Sequence, residues 1–244
     1  MRNYENELAS RVAFIREVLS SAGADGIVYG NSGGKDSALV GILCKRACEN
    51  TLGLIMPCGI IRNYVADKPD AETLAKHYGI TTRTVDLSGT RNALALAVGK
   101  KTKLTDAASA NIAPRLRMTT LYAIATAENR LVAGTGNRSE VYMGYFTKWG
   151  DGACDFNPIA DLTVTEIYEF LQFLDVPDFV IQKAPSAGLF DGQTDEGEMG
   201  LTYRSIDAYL LSGETTECDR AIIEKLHSEG EHKHNMPIVY TGKV

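Results

Sequence analysis

The sequence predicts an α/β fold in which an open parallel sheet is covered by helices on both faces. Short apolar segments typical of buried strands alternate with longer segments whose apolar residues recur at helical spacing. The first strand-like segment runs into a glycine-rich turn, and a helix begins after that turn. Of the 244 residues, 44% are hydrophobic and 23% are charged, which suits one folded domain with a buried core. We therefore expect a single domain over residues 1–244.

The individual elements follow from these patterns in chain order. Apolar residues repeat every three or four positions in the predicted helices, at about residues 3–21, 35–49, 70–78, 91–98, 105–129, 164–174, 205–211 and 217–227. Short apolar or β-branched runs predict strands at about residues 26–29, 51–56, 81–85 and 130–133. Two stretches, 144–157 and 182–200, are rich in Gly, Asp and Pro and have weak periodicity. Stretches of this length inside a folded domain are usually functional loops.

Charge and composition exclude several classes of protein. The net charge of −6 argues against a general nucleic-acid or membrane-surface binder, because either would favour a basic face. The apolar runs are far shorter than the ~18 residues that a membrane span needs. Five cysteines are scattered without a disulfide pattern, which fits a reducing compartment. We expect a cytoplasmic protein with no nucleic-acid or membrane partner.

The glycine-rich turn is the most informative stretch. Its residues are Gly30, Asn31, Ser32, Gly33, Gly34, Lys35, Asp36 and Ser37. The first amides of a helix lack partners and carry partial positive charge, and glycines let the backbone approach an anion closely. We therefore expect the turn to bind phosphate groups, with Asp36 offering a hard oxygen to Mg²⁺. The spacing matches neither the Walker A pattern nor the Gly-x-Gly-x-x-Gly fingerprint, and the alternative is a plain turn capped by Ser.

A second glycine-rich turn, from Gly134 to Glu140, also follows a predicted strand. Ligands of open parallel sheets bind beyond the carboxyl ends of the strands, so both turns should line one edge. Asp36 and Glu140 could then share one Mg²⁺ ion. Taken alone, Glu140 is more simply read as an exposed acidic residue at a helix start.

Cationic and aromatic side chains mark two further stretches. Arg115 and Arg117 lie beside a predicted helix start, where guanidinium groups could bind phosphate or carboxylate, or could simply be solvated. The loop from Gly144 to Asp155 holds the only Trp, one Lys and two Asp. That mixture suits stacking on a flat ring and pairing with its charges, although a chance aromatic cluster is the alternative.

Together these strings resemble two nested groups of enzymes. SGGKDS at 32–37 resembles the phosphate loop of the N-type ATP pyrophosphatases, which have an adenine nucleotide alpha hydrolase-like, Rossmann-like fold. NIAPRLRM, GTGNRSE, GYFTKWGDGACDFNPIADLT, APSAGLFDGQTDE with TYRSID, and EHKHNMP resemble the NAD synthetase family more specifically. That family consists of ligases that convert deamido-NAD, ATP and ammonia to NAD, AMP and pyrophosphate through an acyl adenylate.

The resemblance implies a role for each matching residue. ATP would bind at Gly30 to Ser37, Thr135 and Ser186, with Asp36 and Glu140 holding Mg²⁺. Residues implied to bind deamido-NAD are Arg115, Lys148, Asp155, His232 and Lys233. The family forms homodimers with the dinucleotide at the subunit interface, and the 182–200 segment matches a loop that closes over the site. Asp151 and Asp155 are the candidate catalytic residues, which would hold or deprotonate ammonium.

The sequence departs from the family pattern at two positions. The family usually has Lys after Asp-Leu-Thr and that Lys contacts ATP, whereas this chain has Val164 there. We hypothesise that Lys35 compensates. Ser186 stands where the family has Thr, so a hydroxyl is kept.

Residues 1–29 leave no room for the glutaminase domain of glutamine-using relatives, so free ammonia is the expected donor. Two other functions stay open. One is another adenylating ATP pyrophosphatase with a different acid or a tRNA substrate. The other is a non-catalytic nucleotide-binding module.

Overall fold

Four parallel strands form the sheet in the order β3-β2-β1-β4. The computed structural model describes residues 2–183 and 194–242. The strands are β1 Gly26–Gly30, β2 Thr51–Ile55, β3 Thr81–Thr84 and β4 Arg130–Ala133. Strand β1 lies in the middle, with Val28 opposite Leu52 of β2 on one side and Val132 of β4 on the other. The carboxyl ends of all four strands therefore point to the same edge of the sheet.

Helices connect and cover the strands. Their bounds are α1 Tyr4–Ala22, α2 Lys35–Ala47, α3 Lys68–His77, α4 Ser88–Gly99, α5 Asp106–Ala110, α6 Ile112–Ala127, α7 Arg138–Tyr142, α8 Val164–Phe173, α9 Asp178–Ile181, α10 Asp195–Met199, α11 Tyr203–Ser212 and α12 Glu217–Gly230. A π-helical segment, Asn63–Asp67, precedes α3, and a 3₁₀ turn, Glu231–Lys233, follows α12. In the described ranges no helix is both long and apolar enough to cross a membrane.

Both faces of the sheet are buried, as the alternation of strands and helices predicts. Ile27 and Tyr29 of β1 pack into one apolar cluster with α1, α2 and α8. Val28 points the other way and packs with Leu52 and with residues of α6. Because successive strand residues face opposite sides, burial of both sets requires helices on both faces. The predicted fold class, an open parallel sheet of the α/β type, is confirmed.

One predicted helix was wrong in its extent. The predicted helix over residues 105–129 is two helices, α5 and α6, separated at Asn111. Pro114 explains the break, since its ring would clash with the carbonyl of Ala110 in one continuous helix and it has no N–H to donate. The π-helical segment and α9 were not predicted, because neither is long enough to show a helical period.

A third apolar cluster lies beside the sheet and unites α7, α8, α11 and α12. The buried carboxylate of Asp207 on α11 organises it. Asp207 accepts hydrogen bonds from the Ser139 hydroxyl of α7 at 2.5 Å and from the Thr165 backbone N–H of α8 at 2.6 Å. A buried carboxylate needs such donors to offset its desolvation. This network holds α7, and with it Glu140, at a fixed position next to the sheet.

Candidate active site

The turn between β1 and α2 leaves the start of α2 open to a ligand. Gly34 is the N-cap of α2 and provides no side-chain cap, so the first amides of this helix keep unused hydrogen-bonding capacity. Gly33 adopts a left-handed φ of +72°, which a residue with a side chain rarely adopts. The buried Asn31 amide secures the turn, because it donates to the Ala71 carbonyl at 3.1 Å. The turn has the geometry of an anion-binding loop.

Two serine hydroxyls lie together in this turn. The Ser32 and Ser37 hydroxyls are 3.1 Å apart, and Ser32 Oγ accepts from the Gly34 N–H at 3.3 Å. Ser37 also donates to the Gly34 carbonyl at 3.0 Å. Hydroxyl groups can reorient, so both serines are placed to donate to a phosphate at the start of α2.

The second glycine-rich turn meets the first, as the sequence predicted. Asn137, the N-cap of α7, donates through its amide to Asp36 at 3.0 Å. Its other amide atom accepts from the Glu140 N–H at 3.0 Å, and a Glu140 carboxylate oxygen accepts from the Asn137 N–H at 3.2 Å. Asn137 therefore joins the two acidic residues across the sheet edge.

The two carboxylates are close enough to interact electrostatically. Burial and the nearby charge of Asp36 raise the pKa of Glu140 to about 8, while the Lys35 ammonium acts in the opposite direction. In the described ranges the second oxygen of Glu140 makes no hydrogen bond. A pair of crowded oxygen ligands with spare acceptor capacity is suited to a hard divalent cation.

Lys35 turns inward rather than toward solvent. Its ammonium is buried, donates to the Asp36 carboxylate at 2.8 Å and lies 5.5 Å from the centre of the Tyr203 ring. Burial alone would lower the pKa of Lys35, but the carboxylates of Asp36 and Glu140 outweigh it and raise the pKa. Val164 packs in the same apolar cluster as Tyr203, so the Lys35 ammonium lies near the start of α8.

Sequence analysis missed a cation beside the phosphate loop. The Lys183 ammonium is 2.9 Å from Asp67 and 2.8 Å from Asp70, and it donates to the Gly33 carbonyl at 3.5 Å. These residues come from three separate parts of the chain, so no local pattern could have revealed the cluster. Asn137 carried a detectable signal, since Asn137 and Glu140 have the spacing of a capping box.

Most of the residues implied to bind the dinucleotide lie close to one another, where the start of α6, the 144–157 loop and the 3₁₀ turn meet. Arg115 donates to the Lys148 carbonyl at 3.2 Å, and the Lys148 ammonium donates to the His232 carbonyl. Lys233 donates to the carbonyls of Gly144 and Phe146 at 2.6 and 2.9 Å. The start of α6, the 144–157 loop and the 3₁₀ turn therefore form one polar surface. The His232 side chain itself is exposed.

The two candidate catalytic aspartates have different surroundings. Asp151 accepts from the Thr147 N–H at 2.9 Å, and burial raises the pKa of its carboxyl against the effect of that bond. Asp155 accepts from the Val132 N–H of β4 at 2.7 Å and from the Tyr122 hydroxyl at 3.2 Å. The Asp155 carboxylate is thus already engaged at the sheet edge, whereas Asp151 holds its own loop.

Of the two remaining candidate ATP contacts, only Thr135 lies in the described ranges. Thr135 lies between β4 and α7, at the carboxyl edge of the sheet. Ser186 lies outside the described residues, as does most of the 182–200 segment that sequence analysis identified as a loop. The described end of that segment contains the short helix α10.

Comparisons with known proteins show which family the chain resembles. A family described as NAD synthase matches residues 7–240. An NH₃-dependent NAD⁺ synthetase of Carboxydothermus hydrogenoformans is 46% identical over 240 residues, covering 97% of this chain and 98% of that protein. The solved structure of an NMN synthetase from Francisella tularensis has a TM-score of 0.93 at 34% identity, covering 99% of this chain and 100% of the other. An NH₃-dependent NAD synthetase from Campylobacter jejuni has a TM-score of 0.81 at 30% identity, covering 98% and 100%.

Proposed function

Since this chain belongs to the NAD synthase family, we propose that the two glycine-rich turns and the carboxylates between them form the site of its reaction. The chain is an enzyme, a ligase that converts deamido-NAD, ATP and ammonia to NAD. One observation supports the placement above all others. Asn137 joins Asp36 of the first turn to Glu140 of the second, at the edge where a parallel sheet binds its ligands.

The chemistry explains why such a site needs ATP. A carboxylate does not react with ammonia directly, because oxide would have to leave. In the proposed reaction a nicotinate carboxylate oxygen attacks the α-phosphorus of ATP, and the electron pair of the broken P–O bond leaves with pyrophosphate. Ammonia then attacks the acyl adenylate and AMP leaves. The amides of α2 and the hydroxyls of Ser32 and Ser37 are placed to stabilise the departing pyrophosphate.

Asp36 and Glu140 are the proposed ligands of Mg²⁺. Burial and the nearby charge of Asp36 raise the pKa of Glu140, and a bound divalent cation would offset both effects. In the described ranges no group of three or more His, Cys, Asp or Glu side chains is arranged to hold a metal. Two carboxylates suffice for Mg²⁺, which commonly completes its shell with phosphate oxygens and water. When bound there, the ion would neutralise negative charge on the phosphates.

We propose that Lys35 takes the place of the family's usual Lys at position 164, where this chain has Val. Lys35→Met should raise the KM for ATP at least about tenfold. The variant loses the ammonium that lies beside the carboxylates of Asp36 and Glu140, so their negative charge would repel the phosphates of ATP more strongly. Steady-state rates at saturating deamido-NAD measure this. Lys45→Met is the control, since Lys45 lies on the same helix but pairs with Glu49 at its far end. An unchanged KM for Lys35→Met in a folded protein would refute the substitution.

The polar surface formed by Arg115, Lys148 and the 3₁₀ turn is the proposed site for deamido-NAD. Arg115, Lys148, His232 and Lys233 offer cationic or hydrogen-bonding groups, and these suit the two phosphates of a dinucleotide. Asp151 and Asp155 border the same surface. We propose Asp151 and Asp155 as the groups that hold or deprotonate ammonium, although each already accepts a backbone hydrogen bond, from Thr147 and from β4 respectively. Thr135 and Ser186 remain proposed ATP contacts.

A homodimer is proposed from the exposed apolar face of α4. None of its residues is buried, and Leu94 and Leu96 are 41% and 68% exposed. Leu96 borders a shallow depression of about 680 Å³ that is also lined by Asn92, Ala95, Gly99 and Lys100. Apolar helix faces of this kind usually mark protein interfaces.

Leu96→Glu should weaken this dimer about 100-fold or more, because a buried charge in an apolar interface has no partner there. Light scattering after size-exclusion chromatography measures the mass against the 26.5 kDa of one chain. Leu211→Glu, on the exposed face of α11, is the matched control and should leave the dimer intact. If the parent protein is a monomer, or if both variants stay dimeric, the assigned interface is wrong.

We also place the enzyme in the cytoplasm. All five cysteines are free thiols, and three of them are not buried. Free thiols persist in a reducing compartment.

A product assay tests the proposed function. Purified protein with ATP, Mg²⁺, ammonium and deamido-NAD should yield NAD, AMP and pyrophosphate in equal amounts. The similarity to an NMN synthetase favours a second candidate, in which the acid is the corresponding mononucleotide, so both acids are assayed in parallel. A higher kcat/KM with the mononucleotide would assign the second reaction. Formation of ADP and orthophosphate, or ATP binding without AMP release, would contradict both.

A further inference from the structure

Arg117 on α6 points toward the end of a central strand. Its Nε donates to the carbonyl of Met56, which directly follows β2, at 3.1 Å. Its Nη2 donates to the Asn63 side chain at 3.4 Å. Arg115, two residues earlier, is exposed, and its guanidinium donates to the Lys148 carbonyl. The two arginines of this stretch therefore have different environments, which the sequence left undecided.

Arg117 has no counter-ion in the described ranges. No carboxylate lies within 4.0 Å of the partly buried Arg117 guanidinium in the described ranges, whereas the buried Arg11 and the partly buried Arg130 are each paired with an acidic side chain. The titratable groups that act on Arg117 at longer range are Cys58, Asp151 and Asp67, in decreasing order of effect. Asp67 is paired with Lys183, and Asp151 accepts from the Thr147 N–H. The charge of Arg117 is thus left without a close partner.

The physical cost of that arrangement indicates a ligand. Burial lowers the pKa of Arg117, but a guanidinium stays protonated in proteins, so its charge persists. A partly buried charge with no carboxylate beside it carries a desolvation cost that an anionic ligand would offset. Within the described ranges Nη1 makes no hydrogen bond, yet it is not among the buried polar atoms without a partner and so keeps contact with solvent. One end of a forked donor is therefore held by the protein, and the other is accessible.

The position of this guanidinium is at the junction of the two proposed substrate sites. A Cβ added to Gly30 would lie 3.7 Å from Met56 and 3.9 Å from Leu121, so Met56 and α6 border the start of the phosphate loop. Asp151 also contributes to the electrostatic environment of Arg117. The space between Gly30 and Asp151 is where ATP and the acid substrate would meet.

We propose that Arg117 binds an anionic oxygen of the reacting substrates, at the place where the nicotinate carboxylate meets the α-phosphate of ATP. This role rests on the proposed function. Both groups are anions, and they repel each other before the new C–O–P link forms. A fixed guanidinium offsets that repulsion and holds the attacking oxygen in line, without taking or giving a proton.

Kinetics of Arg117→Gln test the proposal. The variant should lose about 10- to 100-fold in kcat/KM, as expected when a charge-assisted hydrogen bond is removed. A rise in the KM for deamido-NAD assigns the contact to the carboxylate, and a rise in the KM for ATP assigns it to the phosphate. A fall in kcat with both KM values unchanged assigns it to the transition state. Arg117→Lys, which keeps the charge, should recover part of the loss.

Two controls separate binding from a structural role. Asn63→Ala removes an acceptor that holds Arg117 but leaves the guanidinium in place, so its kcat/KM should fall less than about threefold. Arg83→Gln changes an arginine on β3, the outermost strand on the side opposite β4, where Arg83 pairs with Glu128. Its kcat and both KM values should match those of the parent enzyme.

Arg117→Gln with kcat and both KM values within twofold of the parent would overturn the proposal. Equal losses for Asn63→Ala and Arg117→Gln, with matching losses in melting temperature, would overturn it as well. If the parent enzyme itself forms no NAD, the proposed function fails, and that result is distinct from either outcome.

Discussion

Asp36→Asn should lower the rate of NAD formation by about 10²- to 10³-fold, the range seen when one preorganised electrostatic group is removed from a catalytic site. Asp36 contacts Lys35 and Asn137 and lies beside Glu140, so it connects the phosphate loop to the second glycine-rich turn. An amide keeps the shape and the bond from Asn137 but loses the charge. We expect the variant to need a much higher Mg²⁺ concentration than the parent enzyme to reach half of its maximal rate.

The measurement is the initial rate of pyrophosphate release over a range of Mg²⁺ concentrations. Asp70→Asn is the matched control, because Asp70 also borders the phosphate loop but pairs with Lys183, which keeps Asp67 as a second partner. Asp70→Asn should stay within about threefold of the parent rate. An Asp36→Asn enzyme with a normal rate at limiting Mg²⁺ would show that the metal is held elsewhere.

Gly33→Ala should combine a loss of stability with a loss of ATP binding. An alanine at φ +72° is strained by about 1–2 kcal/mol. Its Cβ would also lie 2.6 Å from the Asp67 carbonyl and 3.0 Å from the Ala71 amide nitrogen, which are backbone atoms that cannot rotate away. The turn or the start of α3 must therefore shift. We expect a loss of about 2–4 kcal/mol in the free energy of unfolding and a fall of about 100-fold in kcat/KM for ATP.

Gly23→Ala is the control that separates backbone strain at positive φ from the steric clash of the added Cβ in Gly33→Ala. Gly23 ends α1 at φ +62°, and a Cβ added there would meet no atom within 4 Å. This variant should lose about 1 kcal/mol and keep the parent kinetics. Urea denaturation measures the free energy of unfolding, and initial rates over a range of ATP concentrations measure kcat/KM for ATP. Equal stabilities for the two variants, or a normal KM for ATP in Gly33→Ala, would show that the turn adapts without cost.

Much of the candidate site could be predicted because its logic is local or topological. A strand, a glycine pair and a helix start within one short stretch indicate a phosphate loop, and Gly30 to Ser37 has that structure. The meeting of Asp36 and Glu140 could be predicted as well, since parallel strands place their carboxyl ends at one edge. Their connection through Asn137 could not, because it joins side chains about a hundred positions apart.

Other features depended on which face of an element turns toward the core. Arg115 and Arg117 are two positions apart and so lie on nearly opposite sides of α6. Only the burial of Ala113 and Ala125 against the sheet decides that Arg117 faces the strand end and Arg115 faces solvent. In the same way, the packing of α2 against α8 sends Lys35 inward, and the edge of β4 engages Asp155.

The sequence by itself therefore determined the fold class, the glycine-rich turn between β1 and α2, the meeting of Asp36 with Glu140 and the family, because periodicity, turn chemistry and strand polarity are carried by neighbouring residues. Only the tertiary structure decided the pairing of Lys183 with Asp67 and Asp70, the inward turn of Lys35 and the lack of a nearby carboxylate for Arg117 among residues 2–183 and 194–242. Those outcomes depend on which distant side chains are brought within about 4 Å, since the energy of a charge in a protein depends on its local dielectric and its nearest partners.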